Sequence, residues 1–344
     1  MGDGADGNSK PGEQQYRATI SIAVPGSIID NTQSLERATA VAGQIARAAV
    51  IFRVHEIVVF DDWDSADGNS HGPRGWRGER FSGSGGSFLA RVLQYLDTPQ
   101  YLRRALIPLT PDLRLAGLLP PLDAPHHARM HEWPEFREGV VVAEEGGEGG
   151  AGGSSVVDVG LQQRVHVRGS FSEGTRLTVA MGPASEREKV FLPGVLLSPV
   201  SPLAPWACKG LYWGYSVRLA RGVSGALKDC PFSGAAGGGE GGGGEGGAAG
   251  GGAYDLIIGT SEHGEVKEIG QFKFPPFRHA LIVFGGVAGL EESCELDEGL
   301  EEGRREPQQL CHYYLNTCSL QGSRTIRTEE AVLISLAHIL ALIK

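Results

Sequence analysis

No glycine fingerprint joins the first apolar strand of this 344-residue chain to the helix that follows it, and that lack argues against a nucleotide-binding dehydrogenase. A glycine tract at Ser233–Gly252 does contain GxGxxG spacings, but no strand leads into it and no helix-forming run leads out, so it reads as a flexible insertion. The five cysteines, Cys208, Cys230, Cys294, Cys311 and Cys318, form no CxxC pair and are odd in number. This argues against a disulfide framework or a zinc site and for a reducing compartment. His126, His127 and His131 share a loop with no acid or cysteine placed to complete a metal site, so no metal is expected. Nowhere does an apolar run approach the roughly 20 residues of a membrane span, and no basic segment precedes an apolar run at Met1. A soluble intracellular protein, nuclear or cytoplasmic and without a membrane partner, is the expectation.

A net positive charge is also missing. The formal charge is −10, which at first argues against a nucleic-acid partner. Its distribution reverses the argument. The stretch Glu291–Pro307 holds eight acids against two arginines, Glu144, Glu145 and Glu148 lie in a glycine run, and Glu240 and Glu245 lie in another. Without these stretches the remainder carries about +1, so the acidity belongs to what reads as surface insertions.

What is present is an α/β grammar. Thr19–Val24 reads as a strand ended by Pro25 and Gly26, and Leu35–Phe52 as a helix whose Ala38, Val41, Ile45, Ala48 and Phe52 form one apolar stripe. Glu56–Phe60 follows as a buried strand. The middle changes period: Arg164–Arg168, Thr175–Met181 and Lys189–Leu197 are short runs separated by Gly, Ser and Pro, as in a small barrel. Tyr254–Gly259 and Ala280–Phe284 then read as strands ending in glycine, where Gly285 and Gly286 would let a ligand approach the backbone. The run Tyr313 to Asn316, a loop carrying Gly322, and Thr328 with Glu329 and Glu330 opening an apolar helix repeat that pattern. Strand ends beside a helix start make a ligand crevice.

The blocks "SIAVPGSIIDN", "GQIARAAVIFRVHEIVVFD", "FLARVLQYLDTPQYLRRALIP", "LAGLLPPLDAPHH", "FREGVV", "GLYWGYSVRLA", "YDLIIGTSEHG", "FRHALIVFGGVAGLE" and "NTCSLQGSRTIRTEEAVLISLA" together resemble the SPOUT-class (α/β-knot) RNA methyltransferases, in particular the archaeal and eukaryotic family with an OB-like insert. The resemblance covers nearly all of the chain outside the tail and the glycine or acidic insertions. It implies a knotted α/β methyltransferase domain in two parts, 17–135 and 203–344, around an OB-like β-barrel insert at 136–202. A disordered tail at 1–16 and flexible insertions at 233–252 and 291–307 complete the expected organisation.

The resemblance further implies S-adenosylmethionine bound in the knot by Gly259, Thr260, His263, Gly285, Gly286, Asn316 and Thr317, with Gly322, Ser323, Thr325 and Ile326 closing over it. His263 stands where the family often has arginine. "GQIAR" at Gly43–Arg47 looks like a family pattern that makes Arg47 the catalytic candidate. The asparagine of the ribose-methylating branch is absent, Val41 standing in its place, so the resemblance implies direct methyl transfer to a base nitrogen or a ribose oxygen of structured RNA, rRNA or tRNA. Arg164, Arg168 and Arg176 are the candidate RNA contacts on the insert, and a homodimer is implied. The competing reading is a catalytically inactive knot protein that binds RNA as a scaffold.

Overall fold

The computed structural model describes residues 17–62, 83–143, 153–232 and 253–343. The first half of the chain forms β1 (Thr19–Pro25), α1 (Leu35–Ile51), β2 (Glu56–Asp61), α2 (Gly85–Asp97) and α3 (Gln100–Leu106). Five short strands follow: β3 (Phe136–Val141), β4 (Ser154–Asp158), β5 (Val165–Arg168), β6 (Arg176–Ala180) and β7 (Ser198–Val200). The chain closes with β8 (Ser216–Arg221), β9 (Leu256–Glu265), β10 (His279–Val283), α4 (Gly289–Glu295), β11 (Tyr313–Leu315) and α5 (Thr328–Ile343).

Strands β11-β9-β10-β1-β2-β8 form one sheet in which every neighbouring pair is parallel. A parallel sheet must be covered on both faces, and alternate residues of its strands serve two cores. Ile22, Val24, Ile57, Val59, Ile258 and Ile282 pack against α1, α2 and α5. Their neighbours Ala23, Val58, Leu281 and Val283 pack on the other face with Leu290 and Cys294 of α4. Helix α1 begins where the Ser34 hydroxyl accepts the Arg37 N–H at 3.2 Å, and it ends one residue before the expected Phe52.

Strands β5-β4-β3-β6-β7 make a second, antiparallel sheet that is nearly closed. Leu197 donates to the His166 carbonyl at 2.8 Å and accepts from Arg168 N–H at 2.9 Å, bridging the first and last strands in parallel. Valines 157, 165, 167 and 179 fill its interior while His166 and Arg168 face outward.

Two expectations need correction. Lys189–Leu197 is not a strand: Lys189–Phe191 is a 3-10 turn, and the strand comes later, at Ser198–Val200, because Pro193 and Gly194 (φ 80°) interrupt the run. The acidic stretch after Gly289 is not simply a solvated insertion. Leu290 and Cys294, four residues apart, are buried, and Asp297 accepts from the Ser224 N–H at 2.6 Å and its hydroxyl at 3.0 Å. The i, i+4 apolar pair is concealed in the sequence by the acids around it. The expected tail at 1–16 and glycine insertion at 233–252 lie outside the described residues.

The barrel joins the parallel-sheet body through a buried polar cluster. Glu138 of β3 accepts from Thr178 Oγ1 and Trp213 Nε1 at 2.6 Å each, and from Arg176 Nε at 2.6 Å. Arg176 also donates to Asp97 at the end of α2 at 3.0 Å, and Asp97 accepts the Tyr215 N–H at 3.1 Å. Beside it Arg137, fully buried, donates to the carbonyls of Val159 (2.6 Å), Glu132 (3.0 Å) and Arg129 (3.1 Å). This geometry orients the barrel on the body.

Candidate active site

In the β11-β9-β10 part of the sheet the C-terminal strand ends lie side by side, and side chains stitch them together. Thr260 Oγ1 donates to the Val283 carbonyl at 3.0 Å. Asn316 Nδ2 donates to the Glu262 carbonyl at 2.8 Å while its Oδ1 accepts the Cys318 N–H at 3.0 Å. Helix α5 is drawn onto the same ends: Thr328 Oγ1 donates to Gly285 O at 3.0 Å, and the Thr317 and Ser335 hydroxyls are 2.7 Å apart. Gly259, Thr260, Gly285, Gly286, Asn316 and Thr317 thus lie together at the carboxyl ends of these strands, the place where open α/β sheets bind ligands.

The expected closing turn is an exposed lip. Ser323 donates to the Thr325 carbonyl at 2.8 Å, and a Cβ on Gly322 would meet nothing within 4 Å. Ile326 is half-buried behind it. Val287 and Leu320, 79% and 97% exposed, add apolar surface after β10 and β11. His263 is exposed, with Nε2 3.7 Å from Glu262.

Gly259 and Gly285, with Gly264 beside them, are also required by packing. A Cβ on Gly285 would run into the main chain of Gly289 and Leu290, and one on Gly259 would lie 2.8 Å from the Tyr314 ring and 2.9 Å from Cys311 Sγ. A Cβ on Gly264 would strike the main chain at Leu315 and Asn316. They let the strand-end loops pack on one another. Gly286 differs, because its missing side chain faces polar groups: a Cβ there would stand 3.2 Å from Ser27 Oγ and 3.3 Å from Asp62 Oδ2.

Those polar groups belong to a cluster absent from the sequence reading. Asp61 ends β2 and Asp62 follows it, Asp30 follows β1, and Ser27 hydrogen-bonds Asp62 through both its N–H (3.2 Å) and its hydroxyl. Burial and the charges of Asp62 and Asp61 push the Asp30 carboxyl up to about 6, against a hydrogen bond from Gly85. Burial likewise raises Asp61, opposed by Arg221, and Asp62, opposed by Ser27. The available signal was "VVFDD", acids at the carboxyl end of a buried parallel strand.

The arginine candidates divide. Arg47 is half-buried and tethered, its Nη1 donating to the carbonyls of Leu122 at 2.8 Å and Pro121 at 3.4 Å. Arg164 and Arg168 are exposed on the barrel. Arg176, its side chain 31% exposed, has its guanidinium held by Glu138 and Asp97 in the junction. His126 and His127 also serve that junction, each within 2.9 Å of the Asp97 carbonyl.

Residues 19–339 match a family model described as "Putative RNA methyltransferase". The mouse protein named 28S rRNA (uridine-N(3))-methyltransferase is 44% identical over 319 residues, which are 93% of this chain and 75% of the relative. The human protein of the same name is also 44% identical over 319 residues, 93% of this chain and 77% of the relative. The fruit-fly protein of that name is 42% identical over 327 residues, 93% of this chain and 61% of the relative.

Proposed function

Because the chain belongs to this RNA methyltransferase family, we propose that it methylates the N3 nitrogen of a uridine in large-subunit ribosomal RNA, with S-adenosylmethionine as donor. The observation that carries the reading is the approach of Asp62 to Gly286, which brings a cluster of carboxyls with raised proton affinity against the edge of the strand-end crevice. Uridine N3 holds a proton at neutral pH, so its methylation needs an acceptor for that proton. A carboxyl poised near 6 is suited to the work, and Asp30 is the member of the cluster in that range.

The crevice residues fit a nucleoside-like donor. Backbone groups at the ends of β9, β10 and β11 would pair with an adenine edge, Val287, Leu320 and Ile326 supply apolar surface, and the lip at Gly322 leaves open space. Bound S-adenosylmethionine supplies an electrophilic methyl carbon, and transfer leaves S-adenosylhomocysteine. The chain's own part is orientation and proton acceptance. Asn316 and Thr328 hold the crevice walls together, the aspartate cluster takes the N3 proton, and Arg47 retains guanidinium donors beyond its two carbonyl contacts for the acceptor nucleotide.

The strand order of the second sheet, with its parallel closure between β5 and β7, supports an OB-like insert whose Arg164 and Arg168 meet RNA. The knot belongs to the same reading. So does a homodimer, for which α5 offers an outward apolar face including Leu333 and Ala337.

Calorimetric titration with S-adenosylmethionine and S-adenosylhomocysteine tests the donor site. One saturable site per chain, lost in Asn316→Lys, is expected. Incubation with large-subunit rRNA and mass-spectrometric nucleoside analysis then tests the acceptor: 3-methyluridine supports the reading, and a different methylated nucleoside corrects it. Absence of donor binding shifts the weight to the RNA-binding scaffold.

A further inference from the structure

We propose that Glu291 is the counter-charge of the donor site, a carboxylate set among three strand ends to favour a positively charged sulfonium over the neutral thioether left after transfer. The inference rests on the donor reading above and adds the residue that distinguishes fresh donor from spent product.

Glu291 lies in the acidic stretch, but it is not placed like its neighbours. Glu292 and Glu295 of the same helix are exposed, whereas Glu291 is half-buried. Its Oε1 accepts from the Tyr314 hydroxyl of β11 at 2.6 Å and from the Ser261 hydroxyl of β9 at 3.1 Å. Its Oε2 lies where a Cβ on Gly289, in the turn after β10, would fall. One carboxylate thus contacts the ends of β9 and β11 and the turn leaving β10, the three segments that form the crevice edge.

Both donors on Oε1 are neutral hydroxyls, so the negative charge is fixed in direction without being cancelled. Among the described residues no lysine or arginine forms an ion pair with it, and the nearby His263 acts on it electrostatically. Burial alone would raise its pKa, but the hydrogen bonds from Tyr314, from its own N–H and from Ser261, with His263, carry it below the ordinary value. The group is therefore ionised at neutral pH. A partly desolvated carboxylate without a cation costs stability, and a cationic ligand relieves that cost. Methyl transfer removes one positive charge from the donor, so an anion here weakens retention of the product relative to the donor.

The test is calorimetric binding of S-adenosylmethionine, S-adenosylhomocysteine and sinefungin, which carries an amine in place of the methylated sulfur. It is run on wild type, Glu291→Gln and the double variant Ser261→Ala/Tyr314→Phe. The inference expects Glu291→Gln to weaken the two charged ligands about 10-fold while changing S-adenosylhomocysteine by less than about 2-fold, as for loss of one charge-assisted contact. The double variant retains the charge and should shift all three ligands by a common factor. Equal weakening of all three ligands in Glu291→Gln, or no change in any, overturns the inference and leaves the donor reading standing. If wild type binds none of them, the donor reading falls and takes this inference with it.

Discussion

Two groups of carboxylates in this protein, one buried and one at the surface with Asp30 and Asp62 half-buried and Asp61 exposed, behave in opposite ways. At the junction of barrel and body, Asp97 and Glu138 are 4% and 2% exposed and their oxygens are matched with donors: Arg176 bridges both, Tyr215 and His126 reach Asp97, and Thr178 and Trp213 reach Glu138. Burial would raise Asp97, but His126 and Arg176 hold it well below the usual carboxylate range. At the ends of β1 and β2, Asp30, Asp61 and Asp62 crowd one another, and burial drives all three upward. The first arrangement holds a structure together. The second keeps proton affinity high at a stability cost, as sites of acid–base chemistry do.

The largest expected effect is at the junction. Asp97→Ala leaves Arg176 Nη1 and the Tyr215 N–H without this acceptor and should destabilise the fold by about 3–5 kcal/mol, read from urea unfolding. A loss below about 1 kcal/mol would erase the contrast between the two groups.

The pH dependence sharpens the comparison, because the two signs differ. Asp97 is depressed in the folded state, so its contribution is present above its unfolded pKa, about 4, and is lost as pH falls below that. Asp30 is raised to about 6, so the unfolded chain releases this proton more readily, and stability falls as pH rises between about 4 and 6. Asp30→Asn should therefore stabilise the protein at pH 7 by about 1 kcal/mol after allowing for solvent screening, with the gain vanishing near pH 4. The same variant should slow methyl transfer by about 100-fold or more at pH 7 if Asp30 accepts the N3 proton. Gain of stability with full activity would assign the cluster to packing alone.

A smaller effect is expected on the barrel surface. Arg164→Ala combined with Arg168→Ala should change stability by less than about 0.5 kcal/mol. It should weaken RNA binding and lower its salt-dependence slope by about 2, measured by filter binding across a salt series. The matching change at Arg176 should instead unfold the junction.

Much of the architecture was legible in the chain because hydrophobic period is a local property. The helix at Leu35, the strands at Thr19, Glu56 and Ala280, and the apolar helix from Thr328 follow from spacing and end signals, and the nine blocks carried the family. Other features required contacts far apart in sequence. Arg176 reads only as a barrel-surface cation until Asp97, 79 residues away, binds it. Gly285 reads only as ligand room until the Gly289–Leu290 turn packs against it. Glu291 reads as one acid among eight until Ser261 and Tyr314 converge on it from two strands. Period, punctuation and residue type were determined by the sequence alone. Which charges are neutralised and which remain open was decided by the tertiary structure, since burial and pairing depend on partners that only folding brings within a few ångströms.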